Sequence, residues 1–104
     1  MYELLDDNYK IIKGKEIFDY EEVKSLFTDY FKDYDYVLGD YSYGKIRLKG
    51  FYDSNNKKVK HLNDIKNLDN YINEYCSPGA KIFLIKKEEN KKNNKKVDFK
   101  TKFQ

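Results

Sequence analysis

Tryptophan is absent from this 104-residue chain, and cysteine, methionine, proline, histidine and arginine occur once each. A lone Cys76 cannot form an intramolecular disulfide, which excludes a small secreted fold stapled by disulfides. Cys76 and His61 are the only soft metal ligands, too few for a zinc site built on Cys and His, so no metal and no cofactor are expected. No apolar run approaches the ~20 residues that span a bilayer, so no membrane partner is expected. The start, "MYELLDDNYK", turns polar within five residues and lacks the apolar centre of a signal peptide. The expected location is cytoplasmic. Neither a P-loop nor G-x-G-x-x-G occurs, and the carboxylate pairs Asp6/Asp7, Glu21/Glu22 and Glu88/Glu89 are neighbours whose side chains diverge on any regular element. These absences make a non-catalytic protein the expectation.

What the chain has instead is tyrosine and phenylalanine, 11 and 7 of them. A single domain of this length buries roughly 60–65% of its unfolded surface, so large aromatic side chains must supply much of a modest core. The net charge of +3 is unevenly placed. Residues 1–85 carry 13 basic and 15 acidic side chains, a balance of −2, whereas residues 86–104 carry 8 lysines and 3 acids, a balance of +5. The expectation is one domain over residues 1–87 and a basic tail over 88–104, too poor in apolar residues to order itself.

The opening segment reads as two short strands around a turn at Asp6-Asp7-Asn8. Asp19 and Glu22 have the spacing of a capping box. From there Tyr20, Val23, Leu26, Phe27, Tyr30, Phe31 and Tyr34 line one face of a predicted helix. The period then falls to two. Ser42-Tyr43-Gly44 predicts a three-residue hairpin loop, which sets Tyr41 opposite Lys45, Leu38 opposite Leu48, Asp40 opposite Ile46, Gly39 opposite Arg47 and Val37 opposite Lys49. Asp53–Asn56 reads as a turn and Val59–Leu62 as a short strand. A second helix is predicted over Asp64–Cys76, capped by Asn63 and ended at Pro78-Gly79. "KIFLIKK" follows as a buried strand. The order ββα-ββ(β)-αβ predicts an α+β fold, two helices packed on a mostly antiparallel sheet.

The hairpin carries the best candidate site. Ile46 and Leu48 face inward by alternation, and Lys45, Arg47 and Lys49 form an outward cationic row at about 7 Å spacing. In the predicted register Tyr41 lies beside that row, and Tyr43 sits at the loop tip. Cations next to aromatics on a sheet can hold phosphates by charge and bases by stacking. The expected binding residues are therefore Tyr41, Tyr43, Lys45, Arg47 and Lys49, and the expected partner is nucleic acid, RNA first, with the tail lysines adding loose attraction. The alternative partner is protein, another or a second copy, since tyrosine and arginine also anchor protein interfaces. Cations paired within the molecule on an ordinary wet strand face would look the same in the sequence.

The stretches "YDYVLGDYSYGKIRLKGFY" and "LDNYINEYCSPGAKIFLIKK", above all Gly39-Asp40, Tyr43-Gly44, "RLKGFY" and "YCSPG", resemble the YutD-like family, small uncharacterised proteins of low-GC Gram-positive bacteria. The resemblance runs from Tyr2 to Lys87. It implies helices against a sheet and marks Asp40–Phe51 as the signature region, and it implies no activity. Ala80 stands where a second cysteine occurs in the family, which leaves Cys76 without the partner a shared redox or metal role would need.

Overall fold

A computed structural model describes residues 1–42 and 44–88. Five strands, β1 (Tyr2–Leu4), β2 (Asp7–Lys13), β3 (Tyr36–Ser42), β4 (Lys45–Phe51) and β5 (Ile82–Lys87), form one sheet in the order β1-β2-β5-β3-β4. Every pairing between them is antiparallel. Three helices, α1 (Tyr20–Leu26), α2 (Asp29–Lys32) and α3 (Leu68–Tyr75), complete an α+β fold. Of the predicted tail only Glu88 is described, its N–H donating to the Asn8 carbonyl at 2.8 Å; the rest, like Tyr43, lies outside the described residues.

Strand alternation divides the core in two. Val37, Phe83 and Ile85 point to one face, where they meet Val23 and Phe27 from the α1–α2 segment together with Leu4 and Tyr9. Leu38, Leu84 and Phe51 point to the other, where Leu68 of α3 closes over them. The central strand β5 is thus covered on both faces, which is why "FLI" has no polar residue in it. Burial raises the pKa of the Tyr9 phenol on the first face.

Several local expectations give way to tertiary demands. The predicted long first helix is broken at Phe27 and Thr28, both extended (φ −77°, ψ 124° and φ −124°, ψ 173°). The break lets Phe27 turn into the core, edge-on to Tyr9 at 5.3 Å, while Phe31 follows from a new helical turn. Asp19 does cap α1, its carboxylate accepting from the Glu22 N–H at 3.2 Å, yet the Glu22 side chain does not return the bond. The first turn lies at Leu5-Asp6, one step earlier than expected, with φ of +50° and +73°; the pairing of Leu4 with Asp7 leaves room for only two residues. Val59–Leu62 is no strand, since His61–Asn63 winds into a 3₁₀ turn. The second helix begins as another 3₁₀ turn, Ile65–Asn67, capped by Asp64 rather than Asn63. Asp64 is drawn in because Ser54 Oγ and the Lys66 N–H both donate to its carboxylate, which lowers its pKa.

The largest correction concerns the β3–β4 register. Ser42 pairs with Lys45, so the loop is Tyr43-Gly44, two residues rather than three. Gly44 keeps the left-handed conformation expected of it, at φ +75°. Every partner then moves by one: Tyr41 pairs with Ile46, Asp40 with Arg47, Gly39 with Leu48, Leu38 with Lys49 and Val37 with Gly50. The glycine at position 39 answers to packing, because a Cβ there would lie 2.1 Å from the Phe83 ring. Substituting Gly39→Ala is expected to lower the unfolding free energy by about 1–3 kcal/mol, the usual result of forcing extra volume into a packed core. Urea denaturation checks it, and an unchanged midpoint would refute the packing.

Candidate interaction site on the hairpin

The new register decides what each hairpin side chain can do. Lys45, Arg47 and Lys49 do share one face, as alternation requires, and Ile46 and Leu48 share the other. The cationic face, however, is the one α3 covers, because Phe51 and Leu38 lie on it. Asp40 stands directly opposite Arg47. Its side chain, 7% exposed, accepts from Arg47 Nη2 at 2.6 Å and Nε at 3.3 Å. A third bond runs from Nη2 to the Tyr75 carbonyl at 3.2 Å, at the end of α3. Forked donors meeting two carboxylate oxygens make this the strong form of ion pair, and it raises the guanidinium pKa further. The Arg47 side chain still keeps 52% of its surface in water.

Lys49 lies over the rings of Phe51 and Tyr71, at 5.3 and 5.9 Å from their centres. Lys45 is exposed at the strand end. Tyr41, expected beside this row, projects from the opposite face, where its hydroxyl donates to Glu22 Oε1 at 2.9 Å. The five predicted residues therefore come together only in part: three cations on one face, Tyr41 on the other, Tyr43 outside the described residues. Sequence reading missed Asp40. The signal was present, since a two-residue loop ending in glycine is the commoner hairpin and alone sets an acid against the only arginine.

The same carboxylate reaches Cys76. The thiol is buried just past α3 and its pKa is raised, first by desolvation and then by the charge and hydrogen bond of Asp40. A thiol kept protonated is a poor nucleophile, so Cys76 serves here as a core residue. His61 is exposed, its carbonyl accepting from Asn67 Nδ2 at 3.0 Å.

A cleft of about 530 Å³ lies at the other end of β5, among Lys10, Asp35, Asp53, Asn56, Lys86 and Glu88. Its polar groups are largely used by the fold: Asp35 accepts from the Asp53 N–H at 2.7 Å and from Asn56 Nδ2 at 3.1 Å, and Lys10 pairs with Glu88 at 3.6 Å. Among the described residues no group of three or more His, Cys, Asp or Glu side chains is arranged to hold a metal, and no helix is long and apolar enough to cross a membrane.

The outer edge of β4 is different in kind. β3 takes one side of this strand, and among the described residues no other strand takes the second. Ser42 and Lys45 close a two-residue loop, so Lys45, Arg47 and Lys49 turn their backbone groups to β3, while Ile46, Leu48 and Gly50 turn theirs outward. Tyr52 obeys the same parity and marks where the open edge ends: its N–H donates to the Asn63 carbonyl at 2.7 Å, and its carbonyl accepts from the Ile65 N–H at 2.9 Å. Tyrosines flank the open stretch on both faces. Tyr71 and Tyr75 stack at 4.9 Å beside Arg47 and Lys49. Tyr34 lies over Gly50, where a Cβ would come within 2.3 Å of its ring, and its hydroxyl bonds that of Tyr30 at 3.0 Å. Tyr30 and Tyr75 are 63% and 51% exposed.

Two outcomes follow from these contacts. Arg47→Ala strands a buried carboxylate and is expected to lower the urea midpoint clearly, though by less than breaking a fully buried pair would, because water reaches Arg47. Lys45→Ala should cost under ~0.5 kcal/mol, and equal urea midpoints for the two would refute the pairing. Burial and the Glu22 bond push the Tyr41 phenol up to about 12 from 10.0. Its contribution to stability is whole below about pH 10 and is lost as the pH climbs through 12. Absorbance at 295 nm should lose one late-titrating phenol in Tyr41→Phe; loss of an early one would contradict the bond.

Comparison with known proteins gives a consistent result. Residues 3–86 match the model of the family YutD-like, described as "Putative antitoxin YutD-like". A protein of Bacillus subtilis (strain 168) described as "Putative antitoxin YutD" is 42% identical over 73 residues, 70% of this chain and 80% of that protein. The solution NMR structure of protein yutD from B. subtilis aligns with a TM-score of 0.67 at 35% identity, covering 86% of this chain and 83% of that one.

Proposed function

The chain belongs to the YutD-like family, and from that premise together with the open edge of β4 we propose that it is a non-catalytic module that binds another protein, receiving an extended segment of its partner along β4. The edge carries the reading. A row of unpaired backbone donors and acceptors is a template for one more strand, and native proteins usually shorten, bend or cover such an edge. Here β1, the opposite edge, is only three residues long, whereas β4 is seven residues long and stops being open only where residues 63–65 pair with Tyr52. Strand addition draws affinity from the main chain and selectivity from flanking side chains, and exposed tyrosines are the side chains that anchor such contacts. The description "Putative antitoxin" carried by the family and by the B. subtilis relative agrees with work done by contact, since an antitoxin that neutralises its target directly needs a surface of this sort.

Binding of RNA through Lys45, Arg47 and Lys49, with Tyr41 and Tyr43, is the second reading, supported by three cations on one face. It is the weaker one, because Asp40 and the Tyr75 carbonyl already occupy the Arg47 guanidinium and Tyr41 lies on the opposite face.

Affinity purification of the tagged chain from its native host, split with and without nuclease, separates the two. A protein co-purifying in fixed ratio, indifferent to nuclease and lost with Ile46→Pro, is the expected result. That proline removes an outward N–H and spares the bonds to β3, a placement edge strands tolerate, and amide dispersion by NMR verifies that the variant folds. Capture that vanishes with nuclease, or that survives Ile46→Pro in a folded variant, overturns the reading.

A further inference from the structure

The β4 edge also carries information about what would bind there. A strand added to it would be in register with three cations, Lys45, Arg47 and Lys49, on one face and with Ile46 and Leu48 on the other. Arg47 is turned toward Asp40, so the two lysines flanking it, some 13 Å apart along the strand, present charge to a neighbour. Resting on the reading of β4 as a docking edge, we propose that the partner segment is acidic on alternate residues and apolar between them, and that the same charges bar a second copy of this chain from the edge.

The exclusion of self follows from parity. Outward-pointing residues of one copy must pair with outward-pointing residues of the other, which are Ile46, Leu48 and Gly50 on both sides. The residues between them then also face each other, so an antiparallel pairing of β4 with itself centred anywhere from Lys45 to Lys49 sets cations opposite cations. Centred on Arg47, it places Lys45 against Lys49 twice. Like charges directly opposite destabilise a strand pair, and lysines on an edge are a known guard against self-pairing. The chain's own residues 89–104 are an equally poor occupant by charge, with six lysines against two acids. A segment with Glu or Asp at alternate positions converts the same row into attraction, while its apolar residues continue the face of Ile46 and Leu48, both half-buried.

Three capped nine-residue peptides of alternating sequence, Glu-Val, Gln-Val and Lys-Val, titrated into the full isotope-labelled chain at low salt test this. The Glu-Val peptide should move the amide signals of Ile46, Leu48 and Gly50, and bind at least tenfold tighter than Lys-Val. In the double variant Lys45→Glu, Lys49→Glu the order should reverse, and in Lys45→Gln, Lys49→Gln it should flatten. If Lys-Val binds the same amides as tightly as Glu-Val, or the reversal fails in a folded variant, the acidic partner is wrong and the docking edge stands. If no peptide moves those amides, or Glu-Val moves only other signals, the docking edge falls too. Concentration-dependent broadening of the same three amides, with a dimer in sedimentation, would mean that the edge takes a second copy and would refute the exclusion.

Discussion

The ion pair of Arg47 with Asp40 is where the tightness of one turn becomes the architecture of half the molecule. A loop of two residues forces Asp40 and Arg47 to face each other, and the buried carboxylate would be costly without its partner. Once that pair is set, the alternation of β3 and β4 has no freedom left. Leu38 and Phe51 go to the α3 face, Val37, Ile46 and Leu48 to the α1–α2 face, and Gly39 comes under the Phe83 ring. The pair also reaches beyond the hairpin, because Arg47 holds the last carbonyl of α3. Hairpin and helix are thereby tied at the point where α3 ends.

A sheet covered on both faces in so short a chain leaves little room for regular helices. The α1–α2 segment spends two residues in extended conformation so that Phe27 and Phe31 can both reach the sheet, and α3 is approached through two 3₁₀ turns. Aromatic contacts do much of the joining. Tyr2, Phe18 and Phe83 form one chain of rings, and Tyr30, Tyr34 and Tyr52 another that leads to the carboxylate of Asp33. Tyrosine suits this role because its ring packs while its hydroxyl finds an acceptor at the surface.

The hairpin therefore has two different sides to its surface. Its charged face is engaged with the protein itself, and its edge, among the described residues, is not. A binding function placed on the edge does not compete with the ion pair for Arg47, whereas a function placed on the charged face would. The seven residues of β4 serve β3 with one set of backbone groups and turn the other outward.

Much was legible from the residues alone. Alternating apolar positions in "KIRLK" determined that Ile46 and Leu48 share a face opposite the three cations, the run "KIFLIKK" determined a buried strand, and Gly44 determined where the chain reverses. Such patterns are local, and local sterics and burial suffice to read them. Register, helix continuity and exposure were decided by the tertiary structure. Whether two or three residues make a turn shifts every partner by one, and the preference between the two rests on Asp40 meeting Arg47, a contact across strands. The stripe from Tyr20 to Tyr34 is a helix by spacing and two helices in fact, because the place in the core that draws Phe27 inward is no property of the stripe. The open edge of β4 was invisible for the same reason: a strand's neighbours are chosen by the whole chain, and no periodicity within seven residues records that one side has none among the described residues.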